Sequence, residues 1–421
     1  MAFVRRVAHV LSRTSLHQPI RVSCHKLIAR TFATITSEHS YLDGDKIGIH
    51  LNQIDSNKLN IELSKTSRPK LPKEQLKFGQ LMSDHMLSID WDYRHGWHTP
   101  HITPYQSLQI DPAASVLHYA LECFEGMKCY IDKDNNIRLF RPEENIKRMN
   151  KSAYRLLMPY INSTEFIKCI EKLVSIDKSW IPTGEGYSLY LRPTLISTHP
   201  YIGVSPSQSC KLYVITSPVG PYYPSGFAPI SVYAEHKYAR AWPGGTGDAK
   251  IGGNYAISIR PAYEASKLGY GQVLWLVGND YQVTEVGTMN MFFFIKNKST
   301  GRNELITAPL DGTVLPGITR MSILELARTW NEFDVSERVY TMNEIITAIN
   351  DGRMIEAFGA GTAAVVSPVN KIAFKGTDYD IPLDKSNTTA KAGKLTQRVW
   401  DTITGIQYGN IKHEWSRIVN E

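Results

Sequence analysis

The sequence predicts a mixed α/β fold that is divided into more than one domain. Short apolar runs bounded by Gly, Pro, Asn or Asp are typical of strands, and amphipathic stretches are typical of helices. The two patterns alternate from Phe78 onward. A chain of 421 residues is long enough for two or three domains with a large core.

Five apolar runs predict strands, and three amphipathic stretches predict helices. The predicted strands are residues 187–191, 211–216, 230–233, 273–277 and 291–295. The predicted helices are residues 143–157, 165–176 and 322–330. Each predicted helix places its apolar residues on one face, as Phe166, Ile170 and Leu173 do in the second helix.

A segment rich in proline and glycine marks the expected domain boundary. Five of the eleven residues 217–227 are proline or glycine, a density that stops regular structure. We therefore predict an N-terminal domain at 76–216, a linker at 217–227 and a C-terminal domain at 228–421. Residues 33–75 are polar and irregular, and they predict a flexible lead-in.

The first 32 residues have the composition of a targeting segment. They contain six basic residues, several serines and threonines, and no Asp or Glu. Apolar residues with arginines around them fall on one helical face, a pattern typical of a mitochondrial transit peptide. The stretch around Phe32 resembles a matrix-processing site. We predict removal of residues 1–32 and location in the mitochondrial matrix; a disordered basic tail is the alternative.

Charge, hydropathy and cysteine content exclude several other classes. The net charge is +7, but outside residues 1–32 the remaining 41 basic residues nearly balance 40 acidic ones. Bulk charge therefore does not indicate a nucleic-acid-binding face, and no apolar run is long enough to span a bilayer. Five cysteines without paired spacing favour neither a disulfide framework nor a zinc site, and we expect no metal.

Four short patches rich in glycine and polar residues carry the candidate chemistry. Residues 244–255 place Lys250 between two glycine clusters, where a lysine can form a Schiff base with a carbonyl cofactor. Residues 284–290 contain a carboxylate that could bind a pyridine nitrogen. Residues 315–320 lead into a helix whose free N–H groups suit an anion. Residues 358–364 suit a second phosphate-binding turn. For the four patches in this order, the alternative interpretations are a turn with a solvated lysine, a hairpin loop, simple helix initiation and a tight bend.

In this order and spacing, the patches resemble the branched-chain amino acid aminotransferases, members of the fold type IV group of pyridoxal-phosphate enzymes. The resemblance runs from about residue 75 to the C-terminus. Further matching motifs are L-H-Y at 117–119, F-E-G at 124–126, L-F-R-P at 139–142, Y-L-R-P at 190–193, V-L-W-L at 273–276 and I-Q-Y-G at 406–409. The family implies amino transfer between L-leucine, L-isoleucine or L-valine and 2-oxoglutarate, with ping-pong kinetics, giving branched-chain 2-oxo acids and L-glutamate.

The resemblance assigns cofactor-binding residues by position. Lys250 is similar to the catalytic lysine that holds pyridoxal 5′-phosphate as an internal aldimine and moves the substrate proton. Glu285 matches the carboxylate that faces the pyridine nitrogen, and Tyr255 matches the tyrosine that hydrogen-bonds the phenolic oxygen. The expected phosphate ligands are the guanidinium of Arg148, Thr362, and the backbone N–H groups of Ile318 and Thr319.

The resemblance also implies an apolar, aromatic substrate pocket, which suits a branched aliphatic side chain. Its expected residues are Phe78, Tyr119, Phe124, Tyr190, Tyr222, Thr288 and Ala363. Arg192 is expected to pair with the second carboxylate of glutamate. Judged by residue type alone, each aromatic residue would be expected in the core.

The family fold implies two α/β domains, a smaller N-terminal one and a larger C-terminal one with a pseudo-barrel, and the cofactor between them. It also implies a homodimer whose partner completes the substrate pocket. Animal members often carry Cys-x-x-Cys after the Gly-Thr-Ala turn, whereas residues 364–367 here read Ala-Val-Val-Ser. Thiol switching is therefore not expected at that position.

Two other functions are compatible with parts of the pattern. Another fold type IV enzyme, such as a D-amino acid transaminase or an aminodeoxychorismate lyase, would share Lys250 and Glu285 but not the long run of branched-chain motifs. A paralogue without cofactor, serving as a scaffold, would be expected to lose the lysine, the carboxylate or Arg148.

Overall fold

The computed structural model describes residues 51–222, 226–384, 386, 387 and 389–419. The predicted transit peptide and residues 33–50 of the predicted lead-in lie outside these ranges. Within them, strands form two sheets, one of ten strands and one of nine, and helices pack against both. The predicted mixed α/β fold is confirmed.

The first sheet is built mainly by the N-terminal half of the chain. It contains β1 (Asn60–Ile61), β2 (His85–Asp92), β3 (Gly96–Trp97), β4 (His101–Pro104), β5 (Glu122–Phe124), β6 (Met127–Ile131), β7 (Ile137–Phe140), β8 (Ser188–Ser197), β9 (Ser209–Val219) and the last strand of the chain, β19 (Ser416–Ile418). Its central path runs β1-β4-β2-β9-β8-β6-β7-β19. The two strands predicted at 187–191 and 211–216 correspond to β8 and β9, which pair antiparallel over ten residues.

The second sheet closes on itself. It contains β10 (Ile230–Glu235), β11 (Gln272–Val277), β12 (Gln282–Val286), β13 (Met289–Lys296), β14 (Asn303–Thr307), β15 (Asp334–Glu337), β16 (Met354–Gly361), β17 (Val365–Phe374) and β18 (Thr377–Asp380). Six of these strands form a ring in the order β10-β11-β12-β13-β16-β17, because β17 pairs with β10 and β12 pairs with β13. A closed ring leaves no unpaired edge among its members. The expected barrel is confirmed.

The helices of the described residues lie on both sheets. They are α1 (Ser115–Tyr119), α2 (Pro142–Arg155), α3 (Ser163–Ile176), α4 (Gly252–Ala256), α5 (Ile259–Lys267), α6 (Ile318–Trp330), α7 (Met342–Asn350) and α8 (Lys394–Gln407). The three predicted helices correspond to α2, α3 and α6. Helix α6 begins four residues earlier than predicted, because the chain already turns into the helix after its N-cap, Gly317. No helix in these ranges is both long and apolar enough to cross a membrane.

Strand β13 shows why the apolar run at 291–295 is continuous. Met291 and Phe293 face one hydrophobic cluster together with residues of α7. Phe292 and Phe294 face a second cluster together with residues of α6 and α8. Both faces of the strand are buried, so the alternation typical of a half-exposed strand is missing.

The sequence did not predict strand β12. For residues 284–290 it left a hairpin loop as one interpretation. Its polar residues Thr284 and Glu285 are both buried. The hydroxyl of Thr284 donates to the carbonyl of Trp275 at 3.2 Å. A strand with buried polar side chains carries no hydrophobic alternation that could be read from the sequence.

The division of the chain between the two sheets does not coincide with the predicted domain limits. Strand β9 continues to Val219, which is three residues into the predicted linker, and β19 adds the end of the chain to the first sheet. Upstream of residue 76, β1 pairs with β4 and Ile54 is buried. The domain boundary in the predicted linker stays a prediction.

A buried carboxylate on the barrel holds the start of α8. Glu356 is 3% exposed and accepts hydrogen bonds from the backbone N–H of Leu395 at 3.0 Å and of Thr396 at 2.8 Å. The hydroxyl of Thr396 also donates to it at 2.6 Å. The helix has no cap from its own N-cap residue, Gly393, so Glu356 satisfies N–H groups that would otherwise be buried without a partner.

We predict that Glu356→Ala lowers the free energy of unfolding by about 2–3 kcal/mol, because it leaves buried donors unsatisfied. Thermal unfolding followed by calorimetry measures the change. Glu332→Ala is the matched control, since this exposed carboxylate pairs with Arg398 on the outer side of the same helix and its loss should leave Tm unchanged. Equal effects of the two substitutions would contradict the capping role.

Candidate active site

A central cleft of about 600 Å³ lies between the first sheet and the barrel. Fourteen of the fifteen residues singled out from the sequence line it, namely Phe78, Phe124, Arg148, Tyr190, Arg192, Tyr222, Lys250, Tyr255, Glu285, Thr288, Ile318, Thr319, Thr362 and Ala363. The fifteenth, Tyr119, does not line the cleft. It is 45% exposed, and its hydroxyl donates to the carbonyl of Ile202.

Lys250 is held in the cleft by its backbone. Its N–H donates to the hydroxyl of Ser152 at 2.8 Å, and its carbonyl accepts from the N–H of Phe124 at 3.0 Å. The side chain is therefore anchored between α2 and β5 and projects into the cleft. Its Nζ donates to the Tyr255 hydroxyl at 2.9 Å and lies 4.8 Å from the centre of the Phe124 ring.

Two glycines near Lys250, Gly247 and Gly252, lie against other residues. A Cβ on Gly252 would lie 1.8 Å from a carboxylate oxygen of Glu122. A Cβ on Gly247 would lie 2.9 Å from the backbone oxygens of Gly312 and Thr313, so this position requires a glycine. The patch begins in an exposed turn at Gly244, and its later residues bring Lys250 and Tyr255 against the first sheet.

Arg148 and Glu125 form a buried pair at one end of the cleft. The guanidinium donates from Nε at 2.7 Å and from Nη2 at 2.8 Å to the two oxygens of Glu125, and from Nη1 to the carbonyl of Pro316 at 3.0 Å. Burial opposes ionisation of Glu125, but the charge and hydrogen bonds of Arg148 outweigh it and hold the pKa of Glu125 below its usual value. These three bonds use three of the five guanidinium N–H donors and hold the guanidinium of Arg148 in one orientation. The remaining N–H groups can bind an anion.

The N-terminus of α6 lies beside Arg148. Its N-cap, Gly317, offers no side-chain cap, and the first turn contains no acidic residue. Ile318, Thr319 and Thr362 line the cleft at this point. Uncapped N–H groups next to a guanidinium form a site suited to a phosphate.

Glu285 lies in strand β12, lines the cleft and is 4% exposed. One oxygen accepts from the backbone N–H of Leu315 at 2.9 Å and from the amide of Asn290 at 3.4 Å. The other forms an ion pair with Arg240. Burial raises the pKa of Glu285 above its usual value, and the charge of Arg240 opposes that rise.

The substrate-side residues form an aromatic wall with one cation in it. The ring of Phe78 lies 4.7 Å from that of Tyr190 and 5.4 Å from that of Tyr222. Arg192 donates to the Tyr190 hydroxyl at 3.0 Å, and its guanidinium lies 4.7 Å from the centre of the Phe124 ring. The wall can hold an aliphatic side chain and, through Arg192, a carboxylate.

Sequence reasoning assigned no role to three residues of the site. Glu125 stood in the matched F-E-G motif and could have been flagged there. Asn290 ends the patch at 284–290 but was given no role there, and Arg240 gave no signal, because a lone arginine fits any loop or strand end. Their role depends on contacts that only folding creates.

The comparisons with known proteins agree on one family. The family model of the class IV amino-transferases matches residues 122–372. A branched-chain-amino-acid aminotransferase of Dictyostelium discoideum is 53% identical over 371 residues, covering 88% of this chain and 97% of the relative. The mitochondrial enzyme of that name from Saccharomyces cerevisiae is 49% identical, covering 87% and 93%, and its cytosolic counterpart is 48% identical, covering 88% and 99%.

Solved structures share the fold. The Escherichia coli branched-chain amino acid aminotransferase superposes with a TM-score of 0.63 at 24% identity, covering 76% of this chain and 97% of that one. The enzyme of that name from Thermobaculum terrenum, solved in its PLP form, superposes with a TM-score of 0.62 at 20% identity, covering 80% and 99%.

We predict that Glu125→Gln lowers the free energy of unfolding by about 3–5 kcal/mol at neutral pH, because Arg148 is left as a buried charge without its partner. The pKa of Glu125 is lowered from 4.5 in the folded state, so its contribution is complete above pH 4.5 and is lost as the pH falls through the folded-state pKa. Denaturant unfolding at neutral and acidic pH measures this. The difference between the two proteins should shrink on acidification.

The matched substitution is Glu285→Gln, because the pKa of Glu285 is shifted upward. Folding disfavours the ionised form of Glu285, so this substitution should cost less at neutral pH, and its cost should not shrink on acidification. A pH-independent cost of Glu125→Gln would contradict the assigned ion pair.

Proposed function

The chain belongs to the branched-chain amino acid aminotransferases of the class IV family, and we propose that its central cleft transfers an amino group between L-leucine, L-isoleucine or L-valine and 2-oxoglutarate. The observation that carries the proposal is the convergence of three groups in one cleft: the amine of Lys250, the buried carboxylate of Glu285, and the open helix start beside Arg148. This is the set of groups that a phosphorylated pyridine aldehyde requires.

The residues of the cleft fit pyridoxal 5′-phosphate. The uncapped N-terminus of α6, with Arg148 and Thr362, offers N–H and hydroxyl donors to a phosphate. Glu285 offers an acceptor to a pyridine N–H, and it is already held by Leu315 and Arg240. Tyr255 is in hydrogen-bond contact with Lys250, so it can serve the phenolic oxygen beside the aldehyde. When bound, the cofactor supplies an electrophilic carbon for amines and a ring that delocalises the charge developing at the substrate α-carbon.

The protein contributes proton transfer and orientation. Lys250 would take the proton from the substrate α-carbon with its Nζ and deliver it to the former aldehyde carbon of the bound cofactor, so one group would act first as base and then as acid. Tyr255 positions that Nζ from 2.9 Å. The carboxylate of Glu285 stabilises a positive charge on an adjacent pyridine nitrogen. Burial disfavours the ionised form of Glu285, and the charge of Arg240 favours it.

Two chemically different substrates share one pocket in this proposal. The rings of Phe78, Phe124 and Tyr190 take the aliphatic side chain of a branched-chain amino acid. Arg192 takes the distal carboxylate of 2-oxoglutarate or glutamate, since its guanidinium faces the same space. Binding the two in turn gives ping-pong kinetics.

The test is the visible spectrum of purified protein, followed by L-leucine and then 2-oxoglutarate. We expect the absorption band of the bound cofactor to disappear with L-leucine and to return with 2-oxoglutarate. Lys250→Ala should lose this cycle, with kcat falling by at least about three orders of magnitude, because the substitution removes the amine that moves the proton. Lys298→Ala, at an exposed lysine, is the control and should cycle normally.

The outcomes separate the alternatives. A band that responds to D-alanine and ignores L-leucine would indicate another fold type IV activity. A protein that stays colourless with added pyridoxal 5′-phosphate would be a scaffold without cofactor. Either result overturns the proposal.

We propose that the protein is a homodimer. Its support in the described chain is an exposed apolar patch formed by Leu117, Tyr119, Tyr201, Ile202 and Val204, and such patches mark interaction surfaces. Tyr119, expected at the substrate pocket, belongs to this patch. A dimer that uses it can bring Tyr119 to the partner's cleft.

Light scattering should give twice the mass of one chain, and Ile202→Asp should shift the population towards monomers because it buries a charge at the interface. Val339→Asp, at an exposed valine of the barrel half, is the control and should stay dimeric. A wild-type protein that is monomeric would exclude this arrangement.

We propose that residues 1–32 direct the protein to the mitochondrial matrix. The support is their composition, with six basic and no acidic residues; the relatives include both mitochondrial and cytosolic forms. A fluorescent protein fused to residues 1–32 should enter mitochondria, and replacing the arginines with glutamine should abolish import. A cytosolic signal from the unaltered fusion would contradict the proposal.

A further inference from the structure

Three metal-ligating side chains meet on the hairpin of β2 and β3, outside the central cleft. Asp92 is the last residue of β2, His95 lies in the turn, and His98 follows β3. One ligand atom from each lies within 4.8 Å of the other two, and none of the three residues lines the cleft. The expectation that the protein binds no metal rested on the cysteine pattern, and this group contains no cysteine.

The carboxylate of Asp92 is fixed by the backbone and shared by the two imidazoles. Its Oδ1 accepts hydrogen bonds from the backbone N–H groups of Arg94 at 2.8 Å and His95 at 3.0 Å. Nδ1 of His95 lies 3.0 Å from Oδ1 and 3.1 Å from Oδ2, and Nε2 of His98 lies 2.6 Å from Oδ2. The side chain of Arg94 donates to the Tyr93 hydroxyl at 2.9 Å, so the carboxylate is left to the two rings.

The hairpin that carries these residues is firmly anchored. Trp91 and Trp97 pair across its two strands, both are 3% exposed, and the Trp97 indole donates to the carbonyl of Tyr160 at 2.8 Å. Gly96 has a φ of +82°, and a Cβ there would lie 2.5 Å from the carbonyl oxygen of Asn52. The ligand side chains therefore extend from a backbone with little freedom to move, and such preorganisation lowers the cost of binding.

The chemistry of the ligands restricts which metal they suit. Two imidazoles and a carboxylate suit a divalent transition metal such as Zn²⁺, whereas Ca²⁺ and Mg²⁺ prefer oxygen ligands. At metal–ligand distances of about 2.0–2.2 Å, neighbouring ligand atoms of a tetrahedral site lie about 3.3–3.6 Å apart. The separations of 2.6 and 3.1 Å between Oδ2 and the ring nitrogens are slightly shorter, so small side-chain rotations admit the ion. Each ring then keeps its proton on its other nitrogen.

We propose that Asp92, His95 and His98 form a divalent metal site of the zinc type, with three protein ligands and water in the fourth position. The site lies outside the cleft and takes part in no step of amino transfer. Its effect is on the hairpin, which also holds the first described residues of the chain. Asn52 donates to the His95 carbonyl and accepts from the Trp97 N–H, both at 2.8 Å. A metal bound only when the turn is folded stabilises the folded protein.

The experiment is equilibrium dialysis of the full-length, untagged holoenzyme against buffered Zn²⁺, with the bound metal measured by atomic absorption. We expect the wild type to bind one equivalent more than His95→Gln and His98→Gln, because losing a ligand should cost at least the about 10–100-fold in affinity that losing an outer partner costs. His101→Gln is the matched control, since this histidine is exposed on the neighbouring strand β4, and it should bind as the wild type does. The difference between variants cancels Zn²⁺ bound elsewhere on the chain.

Two further readouts separate a lost site from a lost fold. Co²⁺ in place of Zn²⁺ should give the intense visible d–d absorption of a four-coordinate ion in the wild type and in His101→Gln, but not in the two ligand variants. Zn²⁺ should raise Tm in the same two proteins only. All four proteins should keep the same Tm without metal, because the substituted side chains are exposed. Equal Zn²⁺ content in the wild type and both ligand variants overturns the proposal, and so does a Co²⁺ spectrum that is the same in all four proteins.

Discussion

A charge that is taken out of water must be compensated, and this constraint organises the centre of the molecule. Two carboxylates are almost fully buried beside the cleft, and each is paired with a guanidinium: Glu125 with Arg148, and Glu285 with Arg240. Isolated, any of these groups would cost several kcal/mol. As pairs, they hold fixed charges within electrostatic range of Lys250.

The two pairs differ in the balance between burial and attraction. Arg148 donates hydrogen bonds to both oxygens of Glu125, so the pKa of Glu125 is lowered although its carboxylate is completely buried. Glu285 meets Arg240 through one oxygen and backbone and amide donors through the other, and burial still raises its pKa. The ionised form is therefore favoured in Glu125, whereas in Glu285 the charge of Arg240 favours it and burial disfavours it.

The barrel provides the rigidity that this arrangement needs. Strand β13 is buried on both faces, and the closed ring leaves its strands no freedom to shift register singly. The turns at its rim therefore present Thr288, Thr362 and Ala363 from fixed positions. The turn that carries Ala363 is also held from the first sheet, because the buried amine of Lys128 donates to the Ala363 carbonyl at 2.7 Å.

The sequence by itself determined the features that depend on neighbouring residues. Apolar periodicity located α2, α3 and the strands β8, β9, β10, β11 and β13, because 3.6-residue and two-residue repeats are local properties. The ordered motifs identified the family, its barrel and fourteen of the cleft residues. The composition of residues 1–32 gave the targeting prediction, which lies outside the described ranges.

Only the tertiary structure decided which distant residues meet. Arg240 reaches Glu285 across 45 positions of sequence, β19 returns to a strand more than 270 residues earlier, and Tyr119 falls outside the cleft of its own chain. No local pattern encodes such contacts, because an arginine that compensates a buried carboxylate looks the same in sequence as one that faces water. Burial fixes the difference, and burial is a property of the folded chain.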